Sequence, residues 1–467
     1  MNLLLPFAVF WGVWLLVPIV IDGLTTLVSL VAVLVMRARR QGASSHALDY
    51  YPLISVIVPV YNSADTLEAC LHSIAAQDYP INRMEILLVN NGSRDASFEV
   101  FSRLQGELHL ALSWHSIINQ GKAWALNAGI HLASGQYIFN IDSDVVLAPD
   151  AFRQVVQTME AEPDLGAATG SIEVLPPAGD PSLFMRLLAE CEFFEYLTAF
   201  RVGRVHQTLL HSLYTLSGAF SVFRREVLLG TFLYSHETVT EDTDLTYEIY
   251  ERFQGWRLAC ITSAVAFVHP ISSLSALYAQ RVRWQRGQIE VTARHSKLLR
   301  RPIWHLRGFS PARVLAVDHT LAFPRIVWTF LMPILIFFGY PLSLILAALT
   351  VLYGFYLLID LVWVLVAWLG SDRTSQRRLA GSWWLLPAMP LYRMIVFWFR
   401  FSGFLHAVAE PGSWRVRDPI EQISQGFSEI GQAARAYLQK LMNPKGLQAG
   451  RWGARPVGPQ DNKKTTS

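Results

Sequence analysis

Long apolar segments on both sides of a region of ordinary composition place the strongest constraint on how this chain can fold. The first, Leu3–Met36, carries almost no charge and runs into three arginines between residues 37 and 40. It is longer than the roughly 20 residues that one membrane span needs, and no small-residue cleavage site is evident after it. We therefore expect a retained anchor over residues 1–36, and the arginines predict that the next region is cytoplasmic. Pro18 and Asp22 leave open a division into two short passes, but one span is preferred.

Apolar segments of membrane length return in the C-terminal part of the chain. Ile326–Tyr340 and Leu342–Leu369 predict two transmembrane helices within residues 321–370. The next apolar stretch, residues 383–409, is interrupted by two arginines. We favour an interfacial helix there over a third C-terminal span, because a charge inside the hydrocarbon core is costly.

Three further segments complete the predicted organisation. We expect residues 271–320 to form interface helices between the soluble region and the C-terminal spans. Residues 410–442 predict an amphipathic cytoplasmic segment, since their apolar residues recur at helical spacing. Residues 443–467 are Gly- and Pro-rich and mostly basic, which is typical of a disordered tail.

The composition agrees with a protein that is partly soluble and partly embedded in a membrane. Of its 467 residues, 52% are hydrophobic and 16% are charged, and the formal net charge is +3. A balance this close to neutral indicates no nucleic-acid partner. The three cysteines are widely spaced, so we expect neither a disulfide framework nor a zinc site, and a reducing compartment is favoured.

Residues 50–270 have the pattern of a soluble α/β domain. Short apolar runs that end in polar residues alternate with stretches of helical spacing. The predicted strands are Leu53–Val58, Ile86–Val89 and Tyr137–Ile141, and the predicted helices are Ala64–Gln77 and Gly121–Leu132. This alternation predicts a Rossmann-like, mostly parallel sheet. Ligands of such sheets bind beyond the carboxyl ends of the strands, so polar residues at those ends are candidates for a functional site.

Two aspartates, Asp142 and Asp144, interrupt the apolar run IFNIDSDVVL of residues 138–147. On an extended segment, residues i and i+2 point to the same face. The two carboxylates could therefore share a hard divalent cation that also binds phosphate oxygens. An Asp-rich turn at a strand end explains the same pair equally well.

The triplet Thr240-Glu241-Asp242 precedes a segment of helical spacing and also has two explanations. Thr240 can cap the helix, whose N-terminal end favours the two acids. Alternatively, one of the acids is a general base that removes a proton from an acceptor hydroxyl. Capping alone accounts for the triplet, so the catalytic interpretation depends on other residues.

Three more segments carry residues suited to binding a phosphorylated sugar. Lys122 opens a predicted helix, where its ammonium group and the helix N-terminus can meet a diphosphate, although a solvated surface lysine is the default. In the segment Gln280–Trp284, Arg283 suits phosphate and Trp284 suits a sugar ring. Taken alone, that segment is better explained as a basic amphipathic helix on anionic lipid. Ser217-Gly218 is either a plain turn or a place where the backbone approaches a bound sugar.

The order of these motifs resembles that of a known enzyme family. In chain order they are Pro59-Val60-Tyr61-Asn62, Asn91-Gly92-Ser93-Arg94-Asp95, Gly121-Lys122 with Ala125-Leu126-Asn127, Asp142-Ser143-Asp144, Thr240-Glu241-Asp242 and Gln280-Arg281-Val282-Arg283-Trp284. The set closely resembles the processive family 2 glycosyltransferases, which include cellulose, chitin, hyaluronan and poly-N-acetylglucosamine synthases. The resemblance covers about residues 53–287 and extends to the flanking membrane segments.

This resemblance implies a GT-A fold and a nucleotide diphosphate sugar as donor, with UDP as the favoured nucleotide and Mg²⁺ or Mn²⁺ as cofactor. It implies that Asp142 and Asp144 hold the metal and the diphosphate. Asp242, beside Glu241, would be the general base of an inverting displacement. The implied donor ligands are Tyr61, Asn90, Asn91, Lys122, Asp142, Gln280 and Arg283, and the implied acceptor ligands are Ser217, Gly218 and Trp284.

The turn Val89-Asn90-Asn91-Gly92-Ser93 is the clearest departure from the family pattern, which usually has an aspartate there. An amide can hydrogen-bond uracil or ribose but brings no charge. Ser63 also stands where an acid commonly follows Tyr-Asn. These differences bear on nucleotide choice more than on transfer chemistry, and they leave room for an unusual donor or an inactive enzyme.

We therefore expect a multi-pass enzyme of the inner or plasma membrane, with a cytoplasmic catalytic domain, that extends an extracellular β-linked polysaccharide. Its expected partners are the donor, a polysaccharide or lipid acceptor, the membrane, and either an export partner or a second copy of the chain. Two alternatives remain open. One is transfer of a single sugar to a lipid acceptor, and the other is a catalytically silent component of a polysaccharide export complex.

Overall fold

The computed structural model of the chain describes residues 19–42, 48, 50–119, 121–303, 307–318 and 334–409. Several predicted segments lie wholly or partly outside these residues. They are the first half of the N-terminal anchor, part of the first C-terminal span, the amphipathic segment after residue 410 and the tail.

Eight strands form one mixed sheet. They are β1 (Ile54–Val60), β2 (Met84–Asn90), β3 (Ala111–Ser116), β4 (Tyr137–Ile141), β5 (Val146–Leu147), β6 (Leu165–Val174), β7 (Phe220–Arg224) and β8 (Arg257–Val268). Their order in the sheet is β3-β2-β1-β4-β7-β6-β8-β5. Strands β1 to β4 run parallel, as do β6 and β8, whereas β7 is antiparallel to both neighbours and β5 is antiparallel to β8. The predicted mostly parallel α/β sheet is confirmed, and the antiparallel strands are additional to it.

Helices connect and cover the strands. The α-helices are α1 (Leu24–Gly42), α2 (Leu67–Ala75), α3 (Ser97–Glu107), α4 (Lys122–Leu132), α5 (Ala151–Ala161), α6 (Leu183–Tyr196), α7 (Gly203–Leu209), α8 (Arg225–Leu229), α9 (Glu241–Arg252), α10 (Leu274–Arg294), α11 (Pro311–Asp318), α12 (Leu342–Gly370), α13 (Arg373–Gly381) and α14 (Met389–Ala409). Short π-helical or 3₁₀ turns occupy Ile19–Gly23, Ile81–Arg83, Leu197–Val202, Ser296–Arg300, Leu335–Phe338 and Trp383–Ala388.

Strand β4 positions the candidate site. All five of its residues are buried, because β1 pairs with one edge and β7 with the other. The sheet is covered on both faces: Val56 and Val58 of β1 join one buried apolar cluster, whereas Ile57 joins another. A strand buried in this way reads as a continuous apolar run. The chain therefore emerges at Asp142 from the middle of the sheet, at the edge where β1 and β2 also end.

Gly135 fixes the entry into β4. A Cβ atom at this position would lie 2.5 Å from Ser55 N and 2.6 Å from Ser55 Oγ. The Ser55 hydroxyl accepts a hydrogen bond from Gly135 N at 2.7 Å and donates one to Glu85, its neighbour across β1 and β2. Only glycine lets the backbone come this close, so the start of β4 is held directly against β1.

Ion pairs attach α13 to the α/β domain. Arg378 Nη2 lies 2.8 Å from Glu190 Oε1 on α6. Asp372, at the start of α13, lies 3.0 Å from Arg201 Nη1, which also pairs with Glu173 of β6. These contacts join the segment that follows α12 to the far end of the sheet.

Helix α14 packs along α10. Tyr278 Oη lies 2.7 Å from Ser402 Oγ, and Arg400 Nε donates to Gln285 Oε1 at 2.9 Å. A Cβ atom at Gly403 would lie 2.8 Å from a backbone oxygen of α10, so this glycine permits the close approach. The segment predicted to be interfacial or a third span therefore contacts the helix that carries the Gln280–Trp284 motif.

Among the described residues, one helix, α12, is long and apolar enough to cross a membrane. It has 29 residues, and most of its surface is exposed to the surroundings of the protein. Asp360 within it is 1% exposed and lies 2.7 Å from Arg393 of α14. The shorter apolar helix Leu24–Ala38 coincides with the second half of the predicted anchor. The number of spans therefore stays a prediction.

Replacing Gly135 with alanine tests the close contact at the start of β4. We expect Gly135→Ala to lower the thermal unfolding midpoint of the purified full chain by roughly 2–10 °C, because overpacking costs about 1–3 kcal/mol. Differential scanning fluorimetry in detergent measures the change. Gly106→Ala is a matched control in α3, where nothing lies within 4 Å of the added Cβ. It should leave the midpoint unchanged or raise it, since alanine favours helices, and equal midpoints for the two variants would contradict the constraint at Gly135.

Candidate active site

A lysine between two carboxylates forms the centre of the site. Lys122 is the first residue of α4, and its Nζ lies 2.5 Å from Asp142 Oδ1 and 3.7 Å from Glu241 Oε1. Burial disfavours the positive charge, but Asp142 and Glu241 outweigh it and raise the pKa of Lys122. The lysine therefore stays charged at physiological pH. Its positive charge offsets the negative charges of the two carboxylates, which would otherwise repel each other.

Helix α9 begins at the second pair of acids. Glu241 is 9% exposed, and its burial together with the neighbouring Asp242 charge raises the pKa of Glu241, although Lys122 opposes the shift. Two acids at a helix N-terminus are favoured by the helix dipole. The site thus gathers three acidic side chains, Asp142, Glu241 and Asp242, around one ammonium group.

Thr240 occupies the N-cap position of α9, as one of the two explanations of the triplet expected, but its side chain makes no capping hydrogen bond. The Thr240 side chain instead faces α10, where a Cβ atom at Gly287 would overlap it. Glycine at this position lets α10 cross directly over the start of α9. The start of α9 therefore lies against the helix that carries the Gln280–Trp284 motif.

Asp242 is held in a fixed orientation by donors on both of its oxygens. Oδ2 accepts from Gly218 N at 2.9 Å. Oδ1 accepts from Thr243 N at 2.7 Å and from Thr243 Oγ1 at 3.3 Å. A carboxylate has about four acceptor positions, so Oδ2 keeps capacity for one more donor.

Gly218 leaves room for two side chains of the site. A Cβ atom there would lie 3.2 Å from Lys122 Nζ and 3.3 Å from Asp242 Oδ2. Its carbonyl oxygen accepts a hydrogen bond from Asn140 Nδ2 at 3.1 Å, which ties it to β4. The absence of a side chain thus lets the backbone approach Asp242. The adjacent Ser217 is fixed by a hydrogen bond from its N to Thr169 Oγ1 at 3.2 Å.

Asp144 lies in the turn that follows β4. This turn is closed by a hydrogen bond from Val145 N to Asp142 O at 3.1 Å. Desolvation of the carboxyl group and the charge of Asp142 raise the pKa of Asp144, while Lys122 and His269 oppose the shift. The chain thus carries two carboxylates, Asp142 and Asp144, on one turn at the carboxyl end of β4.

These two carboxylates fit a metal that is shared with a substrate. The described residues contain no group of three or more His, Cys, Asp or Glu side chains arranged to hold a metal ion. Asp142 and Asp144 do supply hard oxygen donors, and Mg²⁺ is commonly held by one or two carboxylates together with substrate phosphates. The donor set therefore suits a metal bound with a diphosphate and does not suit an all-protein cage.

The two asparagines at the end of β2 stabilise the neighbouring turns. Asn91 Oδ1 accepts from Gly121 N at 2.5 Å, just before Lys122, and Asn90 Oδ1 accepts from Ser93 N at 2.9 Å. Both amide oxygens are thus occupied by backbone donors. Tyr61, which follows β1, is 57% exposed and lies at the same edge of the sheet.

The three residues predicted on α10 have different surroundings. Trp284 is half-buried and packs edge-on against Phe200, with ring centroids 5.6 Å apart. Gln280 Oε1 accepts from Arg281 Nη1 at 2.5 Å. Arg283 is exposed and forms no ion pair within the part of the chain that the structure describes.

The structure brings Lys122, Asp142, Glu241, Asp242 and Gly218 into direct contact. It places Asp144 and Asn91 beside them, and α10 reaches them at Thr240.

Sequence reasoning missed the hydrogen bond between Ser63 Oγ and Ser143 Oγ, which are 2.7 Å apart and join the turns after β1 and β4. The only signal for it was serine in place of an expected acid. Reasoning from sequence also gave Arg281 no role, although it is almost fully buried beside Trp284.

Comparison with known proteins finds relatives of the region that carries Lys122, Asp142 and Gly218 of this cluster. Residues 55–230 match the family model described as Glycosyl transferase family 2. Over 241 residues, or 52% of this chain, the sequence is 28% identical to the poly-beta-1,6-N-acetyl-D-glucosamine synthase of Staphylococcus aureus (strain MSSA476). It is 27% identical over the same length to the enzyme of that name from Staphylococcus epidermidis. The match covers 56% of each relative, so the chain spans about half the length of the curated relatives it matches.

A solved structure shares the fold. The mannosyltransferase PcManGT from Pyrobaculum calidifontis, in complex with GDP-Man and Mn²⁺, superposes with a TM-score of 0.50 at 19% sequence identity. The superposition covers 84% of this chain and 99% of that chain. This likeness confirms the GT-A fold that the motif order implied. Residues 55–230 thus resemble family 2 glycosyltransferases in sequence, and the chain has the GT-A fold.

Proposed function

We propose that this protein is a membrane-embedded, inverting glycosyltransferase that adds sugars from a UDP-linked donor to a growing β-linked polysaccharide. The observation that carries the proposal is the cluster of Lys122, Asp142, Glu241 and Asp242 at the carboxyl ends of the sheet. It combines a cation suited to a leaving diphosphate with a fixed carboxylate suited to an acceptor hydroxyl. The names of the relatives support a polysaccharide product.

In this proposal, Asp242 is the general base. Its Oδ2 accepts one hydrogen bond, from Gly218 N, and has room for the acceptor hydroxyl. The hydroxyl oxygen attacks the anomeric carbon and forms the new glycosidic bond, while its proton passes to Asp242. The bond from the anomeric carbon to the diphosphate breaks, and the nucleoside diphosphate leaves with the electron pair. Attack from the side opposite the leaving group inverts the configuration at that carbon. Proton removal by a positioned base contributes about 10²- to 10⁴-fold in rate.

In this proposal, Lys122 and Arg283 stabilise the leaving diphosphate. The Lys122 ammonium group has three donors, and its contacts with Asp142 and Glu241 leave one for a phosphate oxygen. Arg283 is exposed and has the planar donor geometry that binds phosphate in pairs of hydrogen bonds. Charge placed in advance where negative charge develops lowers the barrier without reorganisation.

Asp142 and Asp144 are the residues that would hold Mg²⁺ or Mn²⁺ together with the diphosphate. A bound metal would neutralise charge that builds up on the leaving group. The fold neighbour from Pyrobaculum calidifontis was solved with a nucleotide sugar and Mn²⁺, which agrees with this assignment.

We assign the remaining predicted residues to the nucleotide end of the donor and to the acceptor. Tyr61 offers an exposed ring to the nucleotide base, and the amide groups of Asn90 and Asn91 offer donors, since their oxygens are already occupied. Trp284 offers a flat apolar surface for the acceptor sugar, and we assign Ser217 and Gly218 to the same acceptor. Gln280 lies about one turn before Trp284 on α10, and we assign it to the diphosphate end of the donor.

Membrane embedding is part of the proposal and is supported by α12. Its exposed surface is lined with large apolar side chains, which need lipid rather than water around them. We propose that the anchor and α12 hold the enzyme in the inner or plasma membrane, with the family 2 domain in the cytoplasm. The polymer would then be passed to an export partner or a second copy of the chain.

Product analysis tests the proposed reaction directly. Membranes containing the full chain are incubated with radiolabelled UDP-N-acetylglucosamine and, in parallel, other UDP- and GDP-linked sugars. We expect a long β-linked polymer from one UDP-sugar. A single-sugar product that extracts with lipid would instead indicate a glycolipid synthase. No incorporation from any donor would indicate a catalytically silent protein.

Replacing Asp242 with asparagine tests the general base. We expect Asp242→Asn to lower the transfer rate by about 10²- to 10⁴-fold with little change in donor KM, because it removes the proton acceptor but keeps the shape. The initial rate of UDP release measures the effect. Asp244→Asn is a control on the same helix, where the carboxylate pairs with His295 at 3.2 Å. It should lower the unfolding midpoint while keeping the rate within about tenfold of the parent. Full activity of Asp242→Asn would rule out this base.

Removal of divalent cations tests the role of the two aspartates on the β4 turn. We expect EDTA to abolish transfer and added Mn²⁺ or Mg²⁺ to restore it, since the diphosphate would lose its counter-charge. Asp144→Asn should raise the Mn²⁺ concentration needed for half-maximal rate by about tenfold or more, because it removes one of only two carboxylates that would bind the metal. Asp164→Asn, on the surface beside Arg257, is the matched control and should not change it. Transfer that continues unchanged in EDTA would contradict the metal assignment.

A further inference from the structure

Arg281 is a buried cation that the proposed reaction does not use. It lies on α10 and is 1% exposed, among the largest fully buried side chains of the described residues. Burying a guanidinium group is costly unless its charge and donors are matched. The contacts of Arg281 therefore indicate its role.

Two polar contacts hold the guanidinium group of Arg281, and a further hydrogen bond fixes one of its two partners. Its Nη2 lies 2.7 Å from Glu195 Oε2 on α6. The same Glu195 oxygen accepts a hydrogen bond from Tyr392 Oη of α14 at 2.6 Å. Its Nη1 donates to Gln280 Oε1 at 2.5 Å. The group is thus held, directly or through Glu195, by three different helices, and only one of them is its own.

The guanidinium group of Arg281 lies over the indole ring of Trp284. The guanidinium carbon lies 4.4 Å from the ring centroid, which is close for a cation over an aromatic face. Phe200 packs against the same indole edge-on, at 5.6 Å, and Tyr196 lies at 6.3 Å. The indole ring therefore packs against a buried cation and two aromatic side chains.

We infer that Arg281 is a positioning residue that sets the orientation of the Trp284 ring for the acceptor sugar. Glu195 contacts Arg281 directly and Tyr392 holds Glu195, so α14 contributes to the positioning of the Trp284 ring. This inference rests on the proposed function only where it links the orientation of the ring to binding of an acceptor sugar. The orientation itself is a property of the protein alone.

A lysine substitution separates positioning from simple charge neutralisation. Arg281→Lys keeps a positive charge beside Glu195 but removes the planar group that lies over the indole. Tyr392→Phe removes only one hydrogen bond to Glu195. Arg286→Lys is the matched control, since Arg286 is 3% exposed on the same helix and pairs with Glu290 at 2.6 Å.

The first readout is the environment of the ring. The full chain is labelled with 5-fluorotryptophan in detergent, and the ¹⁹F resonance of Trp284 is assigned by its loss in Trp284→Phe. We expect Arg281→Lys to shift or broaden this resonance, Tyr392→Phe to shift it less in the same direction, and Arg286→Lys to leave it in place. An unmoved resonance in Arg281→Lys would overturn the inference. Should that variant fail to fold, the Tyr392→Phe spectrum decides, and an unmoved resonance there overturns the inference as well.

The second readout is the split between acceptor and donor kinetics. With a short β-1,6-linked N-acetylglucosamine oligosaccharide as acceptor and UDP-N-acetylglucosamine as donor, Arg281→Lys should raise the acceptor KM about three- to thirtyfold, the range of a cation–π contact. The donor KM should change less than about twofold. A shifted resonance with an unchanged acceptor KM would overturn the link to the acceptor. Absence of transfer in the parent protein would refute the proposed function and leave the ¹⁹F result to decide the orientation of the ring.

Discussion

The salt bridge between Lys122 and Asp142 is the interaction on which the rest of the site depends. Without the ammonium group, the partly buried acids at the end of β4 and the start of α9 would repel one another. The 2.5 Å contact holds Lys122 at the start of α4, and the 3.7 Å contact to Glu241 extends the same charge to α9. Gly218 completes the arrangement, because it leaves space for Lys122 and Asp242 to lie side by side. The fold brings together residues that are far apart in the chain around one positive charge.

A second constraint joins this site to the apolar part of the protein. Helix α10 crosses the start of α9 at Gly287 and packs along α14 at Gly403, and each glycine removes a side chain that would prevent the approach. Helix α14 in turn pairs with α12 through Arg393 and Asp360. A movement of α12 or α14 would therefore be transmitted to the acids at the start of α9 through directly packed helices.

Some of this could be predicted from sequence and some could not. Strand β4 and the aspartates after it were predictable, because a buried central strand reads as an apolar run and its carboxyl end collects polar residues. Strand β6 was not, since its sequence LGAATGSIEV is rich in small residues. Gly170 in it must be small because a Cβ atom there would overlap Phe220, a partner visible only in three dimensions.

The motif helix α10 gives the clearest case of what sequence leaves undecided. Arg281 and Arg283 are two residues apart in the same basic segment, yet one is buried over Trp284 and the other is exposed. Their helical positions differ by about 200°, so the packing of α6 and α14 decides which of them is buried. No local pattern names Glu195 or Tyr392 as the partners.

A double-mutant cycle on the transfer rate tests most directly whether these residues act as one charge cluster. Lys122→Met, Asp142→Asn and the double variant are compared with the parent protein in the rate of UDP release from the donor. Groups that act as a unit are not additive, so the double variant should lose about as much rate as the worse single variant. Losses that simply multiply would show that Lys122 and Asp142 act independently and would contradict a shared cluster.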